Sequence, residues 1–391
     1  MFPELAQELA DLETQALRRR LQVVEEVLPG GKVRVKSQVL LNLSSNDYLG
    51  LAQDPRLIAG AQAAAARWGV GAGASRLVVG HLGLHEEVET ELAAFKGVEA
   101  AVIFSTGYMA NVGVIAALMG PGDLIFSDRL NHASIMDGIK LSGASLQRFP
   151  HRDLNRLEKL LQQAPAGKRR LLITDSVFSV DGDLAPLREL VELKERYGLW
   201  LMIDEAHATG VLGPGGAGLA QELGLTDRVD IHMGTFSKAL GSLGGYVAGA
   251  RRLIDYLHNR ARSFIYSTAL PPPVLGAIRA ALEVVREEPE RRSKLLEESA
   301  KFRLGLQDAG FDTLGSETQI VPVLVGKNES TLQFAGALRE RGLMAVGLRP
   351  PTVPPGKARV RFSLSAAHGS EDLDAALKTI VETGRAMGLA R

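Results

Sequence analysis

Seven short apolar runs, Ala101–Phe104, Leu124–Ser127, Ser145–Phe149, Leu171–Asp175, Trp200–Asp204, Ile231–Thr235 and Gly245–Ala248, punctuate the middle of the chain, with stretches of helical period around and between them. An alternation of this kind selects βα units and a mostly parallel sheet. Near-continuous apolar character in the runs requires cover on both faces. The pattern predicts helices over Leu84–Lys96, Ala110–Met119 and Asp153–Gln163, the last with Asp153 as N-cap. The fold class expected is α/β, with a seven-stranded, mostly parallel sheet flanked by helices.

After about Arg252 the pattern changes. A Pro271-Pro-Pro273 break leads into long helical stretches at Val274–Glu288 and Pro289–Ala309. A second, smaller α/β unit follows, with strands near Ile320–Val325, Ala345–Leu348 and Arg359–Leu364 and helices near Thr331–Arg341 and Glu371–Met387. The first 45 residues read as a helix and a short strand pair, Lys32–Val39. The expected division is therefore residues 1–45, a large domain at 46–285, and a C-terminal domain at 286–391.

Composition narrows the chemistry. The 391 residues carry 45 Lys+Arg against 45 Asp+Glu, which removes the basic footprint of a nucleic-acid or anionic-membrane binder. No stretch approaches the ~20 apolar residues that span a bilayer, and no targeting segment is evident, so a cytoplasmic protein is expected. With no cysteine, thiol nucleophiles, disulfides and cysteine-ligated metals are excluded. The chemistry must come from His, Lys, Asp, Glu, Ser and Thr, or from a cofactor. Glycines cluster at Gly69–Gly73, Gly213–Gly218 and Gly241–Gly245, where backbone could approach a ligand closely or simply turn.

In an open parallel sheet, ligands bind outside the carboxyl ends of the strands. There the sequence places Ser105-Thr-Gly-Tyr108 before a helix, Asp175 to Asp183, Asp204-Glu-Ala-His207 and Thr235-Phe-Ser-Lys238. A phosphate cradle, a carboxylate, an imidazole and an amine converge on one edge, a combination that suits pyridoxal phosphate. Lys238 could form a Schiff base with its aldehyde. Asp204 would hold the pyridine nitrogen protonated, which makes the ring an electron sink. His207 could reach the phenolic oxygen, and Thr235 and Ser237 would add hydroxyls to the phosphate. Taken singly, each has a plainer reading: a solvated lysine, a helix-capping aspartate.

Rival motifs fail. Asp204-Glu-Ala-His207 also spells a helicase nucleotide box, but no Gly-Lys pair is followed by Ser or Thr as a P-loop requires. Gly69-Val-Gly71-Ala-Gly-Ala74 follows a helical stretch rather than a strand, which argues against a dinucleotide site. His85-Glu-Glu-Val-Glu89 lacks the second histidine of a zinc helix, and no metal site is expected. There is no Gly-x-Ser-x-Gly elbow.

Read together, Ser44-Ser-Asn-Asp-Tyr-Leu-Gly50, Gly73-Ala-Ser-Arg76, Asn131-His-Ala-Ser134, Asp175 to Asp183, Asp204-Glu-Ala-His207, Thr235-Phe-Ser-Lys238, Tyr266-Ser-Thr-Ala-Leu-Pro271 and Arg349-Pro-Pro-Thr-Val-Pro354 resemble the α-oxoamine synthases. These are pyridoxal phosphate enzymes of fold type I that join an amino acid to an acyl-CoA. The resemblance runs over essentially the whole chain. It implies catalytic roles for Lys238, His132, Asp204 and His207, with His132 stacked on the ring and Ser179 near its phenolic side. Gly107 and Tyr108 would offer backbone to the phosphate, and Thr268 would reach it from the neighbouring subunit of a homodimer. Arg361, on the Arg359-Val-Arg361 strand, would grip the amino acid's carboxylate. Arg18 would meet the distal carboxylate of the acyl chain, and Asn46, Ser75 and Thr352 would bind substrate.

Two reactions fit the family: L-alanine with pimeloyl-CoA, losing CO2 in a step of biotin synthesis, or glycine with acetyl-CoA, keeping the carboxylate. The motif details tilt toward the first, and either or both could live on this scaffold. A non-enzymatic alternative, a pyridoxal phosphate-binding regulatory domain, would need a DNA-binding segment with a basic surface, and none is evident.

Overall fold

A computed structural model describes residues 2–165 and 167–390. The chain divides into two units. The larger comprises Leu49–Phe178 and Leu184–Arg292, and the smaller takes in the residues up to Tyr48, Ser179–Asp183 and the chain from Ser293 on.

The larger unit is built on seven strands: β1 (Ala100–Phe104), β2 (Leu124–Asp128), β3 (Ser145–Phe149), β4 (Arg170–Asp175), β5 (Trp200–Asp204), β6 (Ile231–Thr235) and β7 (Gly245–Gly249). Their order is β1-β7-β6-β5-β4-β2-β3. All seven coincide with the apolar runs. The sheet is mixed: β7 runs antiparallel to both neighbours, and the other pairs are parallel. Every residue of β1, β2, β6 and β7 is buried, as two covered faces demand. Val102, Ile125, Ile173 and Met202 anchor the core, each contributing on the order of 1.5–3 kcal/mol by burial.

Register fixes the functional edge. Gly245 pairs with both Phe104 and Thr235, and Asp175 pairs with Asp204, so the ends of β1, β6, β5 and β4 and the start of β7 share one side of the sheet. Helix starts are set by local chemistry. Thr106 accepts from Met109 N at 3.1 Å and opens the helix Gly107–Leu118, and Asp153 accepts from Arg156 N at 2.8 Å to open Leu154–Gln162, as its sequence position predicts. Helices Pro55–Trp68 and Pro272–Glu287 cross closely because both are glycine at the contact. A Cβ on Gly60 would lie 2.7 Å from Gly276 O, and one on Gly276 2.2 Å from Gly60 O.

The smaller unit has a three-stranded antiparallel sheet with Ala358–Ser363 between Ile320–Gly326 and Val346–Leu348. A second sheet joins Glu26–Leu28, Lys32–Val35 and Gln38–Asn42 as a meander, with Leu343–Met344 added parallel to the last. The strand pair expected at Lys32–Val39 is therefore part of a four-stranded sheet. Segment Ser179–Asp183 belongs to this unit: Gly182, at φ +70°, accepts from Thr318 Oγ1 at 2.9 Å and leaves no room for a Cβ against Ile320 O. Among the described residues, no helix is long and apolar enough to cross a membrane.

Candidate active site

The first helical turn after β1 presents its backbone N–H groups at the functional edge, which is a ready anion site. Two glycines hold it against the sheet. A Cβ on Gly245 would fall 2.5 Å from Gly107 Cα, and one on Gly107 would fall 3.3 Å from Met233 Cε and 3.5 Å from Thr235 Cβ. At the end of β6, the hydroxyls of Thr235 and Ser237 lie 2.7 Å apart, and both donate to Gly244 O, at 2.5 and 3.3 Å. Thr235 is buried and Ser237 is exposed. The backbone of Tyr108 sits in the same helical turn, while its exposed phenol donates to Asp137.

Asp204, buried at the end of β5, is held at both oxygens. Oδ1 accepts from Ala206 N at 2.9 Å and Oδ2 from Asn111 Nδ2 at 2.8 Å. Asn111 also donates to Ser134 Oγ at 2.9 Å, and that hydroxyl lies 2.7 Å from His132 Nδ1. An amide and a hydroxyl thus connect the carboxylate to the imidazole. His132 N donates to Asp175 Oδ2 at 3.1 Å, and the exposed His132 ring remains open to a flat partner. Desolvation lowers the His132 pKa; Asp204 opposes that shift and Lys238 adds to it. Lys238 is half-buried on the turn after β6, where its carbonyl accepts from Gly241 N at 2.9 Å. His207 is buried in the turn after Asp204.

Sequence reasoning missed Asn111. It stands in a helix that is apolar nearly all round, and a lone amide in Ala-Asn-Val-Gly-Val was the available signal. The glycine cluster Gly213–Gly218, where the sequence allows either close approach to a ligand or a simple turn, has a structural role instead. Beneath the Asp204–His207 turn, fully buried Glu205 forms an ion pair with Lys96, accepts from Ala220 N at 3.1 Å and lies 3.6 Å from His232 Nδ1. Lys96 also donates to Ala217 O. The glycine loop therefore wraps this ion pair: Gly218, at φ +122°, would put a Cβ 2.4 Å from Glu205 Oε1. Burial opposes the charge on Glu205, but Lys96 and then His232 outweigh it and hold the carboxyl below its ordinary range.

Ser75 and Thr268, distant in sequence, form an isolated antiparallel bridge. Ala269 N donates to Ala74 O at 3.0 Å and Ser105 Oγ to Thr268 O at 3.2 Å. The next residue, Arg76, is locked by a buried two-bonded pair with Glu89 at 2.8 and 2.9 Å.

In the smaller unit, Arg361 donates to Ser179 O at 2.7 Å and to Asn46 Oδ1 at 3.1 Å, and Tyr48 Oη also donates to Asn46 Oδ1, at 3.1 Å. The structure brings these three expected site residues, Asn46, Ser179 and Arg361, together. Arg359 is instead buried in an ion pair with Asp181. Arg18 lies 3.5 Å from Glu13, and Thr352 sits in an exposed turn with its N–H on Arg349 O at 3.1 Å. Neither hydrogen-bonds to the Arg361 group.

The strand-end residues fit pyridoxal phosphate: a helix start with hydroxyls for the phosphate, a buried carboxylate, an imidazole with an open face, and an amine. Among the described residues, buried Asn111 Oδ1 and Asp175 Oδ1 have no hydrogen-bond partner and so keep polar capacity for a ligand.

Comparison with known proteins agrees. Residues 38–380 match the family described as aminotransferase class I and II. A putative 8-amino-7-oxononanoate synthase of Geobacillus kaustophilus is 52% identical over 390 residues, covering 100% of both chains. Among solved structures, a serine palmitoyltransferase variant from S. paucimobilis with PLP bound is 32% identical, with a TM-score of 0.94 over 99% of this chain and 98% of that one. An 8-amino-7-oxononanoate synthase from Francisella tularensis is 28% identical, with a TM-score of 0.76 over 89% and 98% of the two chains. The chain belongs to the aminotransferase class I and II family and, within it, to the α-oxoamine synthases, pyridoxal phosphate enzymes of fold type I.

Proposed function

We propose that this enzyme condenses L-alanine with pimeloyl-CoA and releases 8-amino-7-oxononanoate, CoA and CO2, a step of biotin synthesis. The observation that carries the reading is end-to-end likeness, at 52% identity, to a relative named for that product. The cofactor, when bound, supplies an electron sink for charge developing at the amino acid's Cα. The chain's residues do the rest. Lys238 would hold the cofactor at its aldehyde carbon, and its amine is the base placed to take the amino acid's Cα proton. Asp204 keeps a proton on the ring nitrogen, its two oxygens fixed by Ala206 and Asn111. His132 would cover the ring face, His207 and Ser179 would meet the phenolic oxygen, and the helix start at Gly107 and Tyr108 with Thr235 and Ser237 would take the phosphate.

Arg361 is the carboxylate grip. Its two bonds go to neutral oxygens, so its charge is left for a ligand, whereas Arg359 is already neutralised by Asp181. Asn46 orients that guanidinium. Arg18 is assigned to the far carboxylate of the acyl chain, and Thr352 to the substrate entrance. The enzyme works as a homodimer in the cytoplasm, with Ser75 and Thr268 serving the partner's site. Exposed Leu77, Val78, Val79 and Tyr266 near that bridge support a subunit contact. Incubation with L-alanine and pimeloyl-CoA, followed by mass spectrometry, tests the assignment: 8-amino-7-oxononanoate is expected, and its absence from active, yellow protein would remove it.

A further inference from the structure

Asp175 and Asp204 end adjacent parallel strands in direct register, so their backbones are about one strand spacing, ~4.8 Å, apart and both side chains stand on the same face. Both are buried. Two carboxylates so placed do not both ionise without a compensating cation. Their surroundings decide which keeps the charge. Each oxygen of Asp204 has an N–H donor, and Ser176 N and Oγ fix its carbonyl at 2.8 and 3.0 Å. Asp175 has a donor at Oδ2 alone, the backbone N–H of His132, while Oδ1 is buried and unpartnered. A charged oxygen without a donor in such a place is costly, and a hydroxyl there costs much less.

We infer that Asp175 is a positioning residue that works as a neutral carboxylic acid, with its proton on Oδ1 and its Oδ2 holding the His132 backbone, so that Asp204 is the single carboxylate charge offered to the pyridine nitrogen. The charged and titratable groups facing Asp175 are Asp204 and Asp128 on the neighbouring strands, Lys238 on the turn after β6, and His132, whose backbone it holds. Burial pushes its carboxyl well above the ordinary range, with Asp204 adding and Lys238 opposing. The device separates two jobs that one charged pair could not do: a fixed floor for the imidazole, and an undivided charge for the ring. Asp175 is isosteric with Asn, whose amide oxygen can take the same N–H of His132, so the conservative variant reproduces the neutral acid.

The inference rests on the strand ends being the cofactor site, and the test separates the two. Purified holoenzyme, D175N and D175A are titrated with pH while the visible absorbance of bound pyridoxal phosphate is followed, and an infrared spectrum is taken at neutral pH. Wild type should show the carbonyl stretch of a protonated carboxyl that is absent from D175N. The absorbance midpoint of D175N should stay at the wild-type value, because no charge has been removed. D175A should lose substrate turnover that D175N retains. A D175N midpoint lower by about one unit or more would mean that a negative charge had been deleted at ~4–6 Å, and would overturn the inference. So would the absence of the infrared band from wild type, a reading that holds even if D175N does not fold. A wild-type protein without visible absorbance would instead remove the cofactor reading, leaving the infrared result to decide the state of Asp175.

Discussion

Arg359 and Arg361 stand two residues apart on the same face of one strand, and among the described residues only Arg359 meets a carboxylate, Asp181. One sequence pattern therefore holds a cation paired within the protein and a second one that we assign to the substrate carboxylate. Arg361→Ala should raise KM for the amino acid at least tenfold, the scale of about 1.5–3 kcal/mol for hydrogen bonds to a charged group, while cofactor absorbance stays unchanged. Arg359→Ala should do the reverse, lowering thermal stability by about 3–5 kcal/mol as the buried ion pair with Asp181 is broken and sparing KM. Steady-state kinetics and melting of the two variants check the split; equal KM effects would sink it.

Lys96 and Glu205 are buried together under the Asp204–His207 turn. Lys96→Met leaves buried Glu205 without its lysine cation, which should cost about 3–5 kcal/mol of stability. The double variant Lys96→Met with Glu205→Leu should recover most of that loss, because a well-packed apolar pair often replaces a buried ion pair without penalty. Denaturant unfolding of the three proteins measures the coupling.

The same pair predicts a pH signature. The pKa of Glu205 is lowered from its ordinary 4.5, so its stabilisation is fully present above that value and is lost as pH falls through the lowered one. The melting temperatures of wild type and Glu205→Gln should differ at neutral pH and converge on acidification below pH 4.5. A gap that persists at constant size would argue that the pair is not the source.

Two glycine substitutions should fail differently. Gly245→Ala drives a Cβ into Gly107 at the start of the helix proposed to hold the phosphate, and is expected to weaken cofactor retention on dilution. Gly218→Ala meets Glu205 at a positive φ, and is expected to cost about 1–3 kcal/mol of stability without altering cofactor affinity. Cofactor release by absorbance and thermal melting separate them.

Much of this was legible in the sequence because it was local. The seven strands were continuous apolar runs, and Asp153 announced its helix by capping it. Asp204, Lys238 and Thr235 could be nominated because a parallel sheet sends ligands to strand ends. What stayed hidden depends on pairings across the chain. Glu205 is 109 residues from Lys96, so Gly213–Gly218 looked like a bare turn. Asn111 was concealed by its apolar helix, and Leu343–Met344 is too short to announce itself as a strand. The neutralisation of Arg359 by Asp181, 178 residues away, likewise has no local mark.

The reaction we propose for this α-oxoamine synthase uses alanine and a long dicarboxylic acyl-CoA and discards the amino acid's carboxylate. A CoA-release assay crossing L-alanine and glycine with pimeloyl-CoA and acetyl-CoA, with CO2 measured alongside, tests it most directly. The highest kcat/KM is expected for alanine with pimeloyl-CoA, with one CO2 for each CoA released. Faster turnover of glycine with acetyl-CoA, with CoA released and no CO2, would contradict it.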